Sequence, residues 1–425
     1  MTTFEQFNLP KSVQKAIDDL GFTTPTPIQE KTFSVIMSGR DMMGIAQTGT
    51  GKTFAYLLPL LKLYKFIPGH TPKIVILVPT RELVVQVVEE VEKLTKYMSV
   101  RTVGIFGGVN INTQKTIVYQ GCDILVGTPG RIMDLTLDNV IRFEEMQKLV
   151  IDEFDEMLNL GFRTQLTAIL AMMPKKRQNI LFSATMTDEV DAILNDYFDY
   201  PQEVTLSASG TPLENIKQIA YDAVNFNTKV NLLKHLLQEN EDMSRVLIFV
   251  NNKKISDMLH GRIDEDFEDQ FGVIHSNKSQ NYRLSTMASF QEGNLRGLIT
   301  TDIMARGLDI SNITHVINFE MPAMPELYMH RIGRTGRADK TGTAISFIAP
   351  REEEAKVEIE VLMNMELAIE PFPAEVEVSA KLIEPEKERQ VVKFLMKKKN
   401  LDGDGAFQEK SKKSKTKKAR DENHF

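Results

Sequence analysis

The stretch that most constrains this chain is Ala46-Gln47-Thr48-Gly49-Thr50-Gly51-Lys52-Thr53. It follows a short apolar run, Met42 to Ala46, and leads into Phe54-Ala55-Tyr56-Leu57-Leu58. Strand, glycine-rich loop and helix in that order turn backbone N–H groups inward, so a phosphate chain can sit at the helix N-terminus. Lys52 is spaced to reach the β and γ phosphates, and the Thr53 hydroxyl to bind Mg²⁺. The strict pattern opens with Gly where this chain has Ala46. A plain glycine-rich turn would satisfy the spacing but gives no reason for Gly-Lys-Thr at the junction.

A loop of this kind belongs to a parallel α/β sheet, and the pattern around it agrees. Lys73 to Val78 contains five apolar residues in a row, as a strand buried on both faces requires. It delivers Pro79-Thr80-Arg81-Glu82-Leu83 to its C-terminal end, where open α/β sheets bind ligands. Further strands are expected over Arg101–Phe106, Asp123–Val126, Lys148–Ile151 and Asn179–Phe182. They end in Gly107-Gly108, in Thr128-Pro129-Gly130-Arg131, in Asp152-Glu153-Phe154-Asp155 and in Ser183-Ala184-Thr185. The N–H groups, hydroxyls and guanidinium groups at these tips suit a phosphodiester backbone rather than base edges. An acidic pair about a hundred residues after the loop suits a Mg²⁺ ligand, Asp152, and a water-positioning base, Glu153. As an alternative, the pair would serve as an acidic cap on the next helix.

The alternation starts again after about residue 217, with strands expected over 245–250, 271–275, 297–301, 315–319 and 343–348. This second half has no phosphate loop. It carries Arg306-Gly307-Leu308-Asp309 and the eight residues His330-Arg331-Ile332-Gly333-Arg334-Thr335-Gly336-Arg337. Arg334 and Arg337, three apart, would project together from a helix and serve as arginine fingers for the first half's loop. Upstream of the loop, Gly21-Phe22 and Pro27-Ile28-Gln29 offer a ring to stack on a base and an amide that donates and accepts at once.

The expected domains are 1–205, a linker at 206–217, 218–367, and a charged, Lys-rich, disordered tail at 368–425. The chain's net charge of −7 conceals residues 393–420, which hold eleven Lys or Arg against three acids. Such a tail would attract a polyanion that the acidic body does not. A solubilising role would produce the same composition. The single cysteine, Cys122, at the start of a strand-like run, reads as a buried and inert thiol in a reducing compartment. No apolar run approaches a membrane span. Met1 to Pro10 lacks the features of a signal peptide, and the expected location is cytoplasmic.

In order and spacing from about Phe4 to Pro350, these segments resemble the DEAD-box ATP-dependent RNA helicases of superfamily 2, of bacterial type. The resemblance implies an α/β fold of two tandem RecA-like domains, with ATP and Mg²⁺ as cofactors. It also implies single-stranded or short duplex RNA as partner. It assigns ATP contacts to Phe4, Phe22, Gln29, Ala46, Gln47, Thr48, Gly49, Thr50, Gly51, Lys52, Thr53 and Asp309. Catalysis falls to Lys52, Asp152, Glu153, Arg334 and Arg337, with Mg²⁺ held largely through water by Thr53 and Asp152. Coupling falls to Asp155, Ser183, Thr185 and His330. The RNA backbone falls to Arg81, Gly108, Thr128, Arg131 and Thr301. A monomer is expected, with ribosomal or RNA-decay proteins as partner classes. The family's third namesake residue is Ala where this chain has Phe154, so ATP hydrolysis is expected to survive while its coupling to unwinding changes. A DNA translocase on the same scaffold and an ATP-gated RNA clamp with little unwinding are the competing readings.

Overall fold

A computed structural model describes residues 3–46, 49–66, 69–206, 215–302, 312–336 and 341–387. Residues up to Ile383 form one compact unit. The first half builds a seven-stranded sheet. Its strands are β1 (Met42–Ile45), β2 (Ile74–Leu77), β3 (Thr102–Ile105), β4 (Ile124–Gly127), β5 (Lys148–Ile151), β6 (Gln178–Ser183) and β7 (Gln202–Thr205). All pairings are parallel, in the order β3-β4-β2-β5-β6-β1-β7.

Apolar residues occupy both faces of these strands, because parallel strands joined by crossover helices are covered on both sides. Ile74, Ile76, Ile124, Val126, Val150 and Ile180 pack to one side, against the helices Pro27–Met37, Lys52–Leu63 and Arg81–Thr95. Val75, Leu77, Leu125, Leu149, Ile151 and Leu181 pack to the other, against Pro129–Leu137, Arg163–Met172 and Asp188–Tyr197.

The second half builds β8 (Ile216–Asp222), β9 (Val246–Phe249), β10 (Phe271–Ile274), β11 (Gly297–Thr300), β12 (His315–Asn318), β13 (Gly342–Ile348) and β14 (Ala368–Ile369). Its order is β10-β11-β9-β12-β13-β8-β14, again all parallel. Numbered from its own first strand, this is the winding of the first sheet repeated.

The structure adds three strands to the expected set: β7, β8 and β14. None is a continuous apolar run, and β7 buries only Val204 among four residues. β8 starts at Ile216, inside the stretch read as a linker. The expected tail also begins too early. From Ala368 the chain pairs with β8, and Val376 is buried in the second half's core with Phe372 and Ile383 packed against it. Asn231 Nδ2 donates to the Glu377 carbonyl at 3.0 Å, and the Ser379 N–H donates to the Thr228 hydroxyl at 3.1 Å. Few apolar residues spaced through a charged segment were enough to hold it there. The rest of the tail, from residue 388, lies outside the described residues.

Candidate functional site

A cavity of about 320 Å³ opens at the C-terminal ends of the first sheet's strands. Its walls are Phe4, Phe22, Thr24, Thr26 and Gln29, then Gly49, Gly51, Lys52 and Thr53, then Asp152 and Glu153, with Arg334 coming from the second half. Segments more than 300 residues apart in sequence thus meet around one space.

The phosphate loop is built on glycine. Gly49 and Gly51 have φ of 82° and 89°, a left-handed conformation that L side chains rarely adopt. A Cβ on Gly51 would also stand 2.6 Å from the Gln29 amide nitrogen. Gly51 is the N-cap of the helix Lys52–Leu63, and no side chain caps that helix. Its first N–H groups are therefore left for an anion. Ala46 is buried and its N–H donates to the Ser183 carbonyl at 3.0 Å, tying the loop's start to β6. Gln47 and Thr48 lie outside the described residues.

At one end of the cavity, Phe22 is half exposed and meets Phe54 edge-on at 5.6 Å. Phe4 is buried against the edge of Phe7. Gln29 accepts from the Thr26 N–H at 2.9 Å and donates to the Gly51 carbonyl at 3.1 Å. Each end of that amide keeps one further hydrogen-bonding position.

At the other end, Lys52 Nζ stands 3.8 Å from Asp152 Oδ1, with both side chains buried. Asp152 Oδ1 also accepts from the Glu153 N–H at 2.9 Å. Glu153 itself sits at φ 54°, in the left-handed region, as the N-cap of the helix Phe154–Asn159, and its side chain makes no capping hydrogen bond. Burial raises the pKa of both carboxyls above the usual range, and Lys52 opposes this at each. The Arg334 charge also holds Glu153 down. Lys52 Nζ and Glu153 Oε2 are buried without a hydrogen-bond partner. Orphaned polar atoms cost stability unless a ligand completes them. Among the described residues no group of three or more His, Cys, Asp or Glu could enclose a metal ion. Thr53 and Asp152 suit an ion held by one hydroxyl and one carboxylate, with water and phosphate oxygens as its other ligands.

Behind the acidic pair, Asp155 Oδ2 accepts from the Ala184 N–H at 3.2 Å, the Thr185 N–H at 3.1 Å and the Thr185 hydroxyl at 3.0 Å. The Ser183 hydroxyl donates to the Thr185 carbonyl at 2.8 Å. Phe154, one residue earlier, is fully buried in the apolar cluster that includes Ile151, Met157, Leu166 and Leu181.

Of the expected backbone-binding residues, Arg81 and Gly108 meet directly. Gly108, at φ 81°, lies directly beneath the Arg81 guanidinium, where any Cβ would collide with it. Arg131 is buried and donates to Gln114 Oε1 at 2.6 Å and to the Val109 carbonyl at 3.1 Å. It therefore braces the turn that carries Gly108. Thr128 is the buried N-cap of the helix Pro129–Leu137. Thr301 follows β11 in the other half, its carbonyl accepting from the Thr300 hydroxyl.

Two features were not legible beforehand. Arg331, counted among the three arginines of its segment, is an internal brace. It pairs with both oxygens of Asp302 at 2.6 and 2.8 Å and donates to the Glu320 carbonyl at 2.6 Å. Arg334 alone of that trio is described in the cavity, its Nε donating to the His330 carbonyl at 3.3 Å. Asp309 and Arg337 lie outside the described residues. The halves are also joined by a polar contact that no motif announced. Arg283 Nη1 meets Glu82 Oε1 at 3.1 Å, and the Gln280 amide donates to the same oxygen at 3.3 Å.

Residues 26–193 match the DEAD/DEAH box helicase family, and residues 228–339 match the helicase conserved C-terminal domain. The DEAD-box ATP-dependent RNA helicase CshA of Geobacillus kaustophilus is 41% identical over 352 residues, covering 83% of this chain and 74% of that protein. The Bacillus subtilis protein of the same name is 39% identical over 353 residues, covering 83% of this chain and 70% of the relative. Among solved structures, S. cerevisiae Dbp5 bound to RNA and ADP BeF3 aligns with a TM-score of 0.78 at 28% identity, over 87% of this chain and 96% of that one. Mss116p bound to single-stranded RNA and AMP-PNP aligns with a TM-score of 0.79 at 28% identity, over 88% and 80%. The chain belongs to the DEAD-box family of ATP-dependent RNA helicases.

Proposed function

We propose that this protein hydrolyses ATP to separate short RNA duplexes locally or to remodel RNA–protein complexes, gripping the RNA backbone without reading its sequence. The observation that carries this reading is the meeting of Lys52, Asp152 and Glu153 with Arg334 around one cavity. In it, Phe22 and Gln29 select adenine, with Phe4 behind them. Gly49, Gly51 and the N–H groups of the helix Lys52–Leu63 hold the phosphate chain, and Lys52 neutralises its far end. When bound, Mg²⁺ would draw charge from the β and γ phosphates. Thr53 and Asp152 are the residues that would hold it. Glu153, deprotonated, orients the attacking water and takes its proton. Arg334 balances the charge that builds on the transferring phosphoryl group, a contribution that can reach ~10³–10⁵ in rate.

Because Arg334 comes from the second half, hydrolysis depends on both halves being in register. The Asp155 bonds to Ala184 and Thr185 would pass the state of the acidic pair to the end of β6. Arg81 and the N–H groups near Gly108 and Thr128 would hold RNA phosphates, Arg131 would hold that turn in shape, and Thr301 would contribute from the second sheet. Asp309 for the ribose, Arg337 as a second finger, Gln47 and Thr48 on the phosphates and His330 in coupling complete the reading. Among the described residues no helix is long and apolar enough to cross a membrane.

Steady-state ATPase with no nucleic acid, with single-stranded RNA and with DNA of matched sequence tests the reading. Strong stimulation by RNA alone is expected. Equal stimulation by DNA would point to a translocase, and ATP-dependent RNA binding without stimulation to a clamp.

A further inference from the structure

Tyr56 lies one turn into the helix Lys52–Leu63, three residues after Thr53 and four after Lys52. That spacing gives it their face of the helix. Its side chain is fully buried, and its ring lies 5.8 Å from that of Phe182, the residue before Ser183. The hydroxyl has no solvent and completes no hydrogen bond of good geometry. Two groups are within its reach, the Thr53 hydroxyl and the Asp152 carboxylate, and Glu153 is close enough to act on it by charge.

An ordinary core position would take Phe here, since a buried hydroxyl without a partner is a net cost. This hydroxyl instead lies within reach of the two residues that the proposed function assigns to the metal's shell. We propose that Tyr56 is a positioning residue that bridges them, donating to the Asp152 carboxylate and accepting from the Thr53 hydroxyl when nucleotide fills the cavity. Hydrogen counts agree with this arrangement. Thr53 can offer a lone pair into the cavity while its proton points back to Tyr56. Asp152 can take the phenol proton on one oxygen and keep the other for the ligand side. The bridge would fix the separation and orientation of the two groups before the ion arrives.

This inference rests on the ATP-site reading, and Tyr56→Phe separates the two. The variant keeps the ring and its contact with Phe182. Without nucleotide its melting temperature should equal or slightly exceed that of the parent. Binding of a fluorescent non-hydrolysable ATP analogue should need three- to tenfold more Mg²⁺ for half-saturation, with binding in EDTA unchanged. In turnover, the effect should appear in the Mg²⁺ requirement, with kcat at saturating Mg²⁺ within about threefold of the parent. An unchanged Mg²⁺ titration overturns the inference. So does a variant destabilised without nucleotide whose Mg²⁺ titration is normal, because Tyr56 would then be a core residue alone. A parent protein that binds no analogue at any Mg²⁺ concentration overturns the ATP-site reading itself.

Discussion

Glu82 and Arg283 meet across the two halves at 3.1 Å, with side chains 10% and 7% exposed. Gln280 donates to the same carboxylate oxygen, so the acid is held from two positions on one helix. Removing one partner of a buried pair strands the other charge, at a cost of ~3–5 kcal/mol. We expect Glu82→Ala to lower RNA-stimulated ATPase at least tenfold while leaving nucleotide binding within about twofold. The exchange Glu82→Arg with Arg283→Glu should recover part of the loss. Equal losses in the single and exchanged proteins would assign Glu82 some other role.

Glu153→Gln should bind ATP normally and lose turnover by ~10²–10⁴. The parent's turnover should rise with pH through the raised pKa of Glu153, because only the deprotonated carboxylate accepts a proton. Arg334 holds that pKa down. The weak residual activity of Arg334→Gln should therefore show its acid limb at higher pH than the parent. An acid limb that stays in place would remove Glu153 from the proton-accepting role.

Phe154 fills a fully buried position. Phe154→Ala restores the family's usual residue but opens a cavity in this core, at ~3–5 kcal/mol of stability by denaturant titration. At a temperature where the variant stays folded, we expect the amount of duplex separated per ATP to change. If RNA stimulation and unwinding per ATP are both unaltered, the ring is packing and nothing more.

Cys122 is the sole thiol, fully buried, and burial pushes its pKa up to about 12. Its reaction with a thiol reagent at pH 8 should be negligible in the folded protein and should follow global unfolding in denaturant. Because the folded pKa is raised, the associated stability is present at neutral pH and is lost as pH climbs toward 12. Rapid labelling without denaturant would reveal local opening of β4.

Deleting 397–425 should weaken RNA binding and flatten its dependence on salt, since fewer phosphates would be neutralised. Basal ATPase should not change. An unaltered salt slope would leave the lysines with a solubilising role.

The sequence carried most of the first sheet because strands buried on both faces read as unbroken apolar runs. Ile74 to Val78 and Leu149 to Ile151 left no other reading. It missed β7 and β8, where alternation is diluted by polar residues, and β14, which has two residues. The phosphate loop and the acidic pair were legible because their chemistry is local in sequence. The role of Arg331 was not legible for the opposite reason. A guanidinium is recruited by whatever acceptors surround it, and Asp302 and the Glu320 carbonyl lie elsewhere in the chain. The same holds for Tyr56, an unremarked helix residue until Asp152 is placed over it.

The two sheets wind identically, yet their corresponding first helices begin differently. In the first half Gly51 leaves the opening N–H groups bare. In the second, the Asn225 side chain accepts from the Thr228 N–H at 2.9 Å and closes that end itself. On the proposed function, one copy of the fold would receive a ligand and the other would present Arg334 to it. Severed at 206–217 and supplied as separate polypeptides, the halves would behave as a receptor and its activator. The amino-terminal piece alone would hold nucleotide without consuming it. Adding the carboxy-terminal piece in excess, with RNA present, would start the clock.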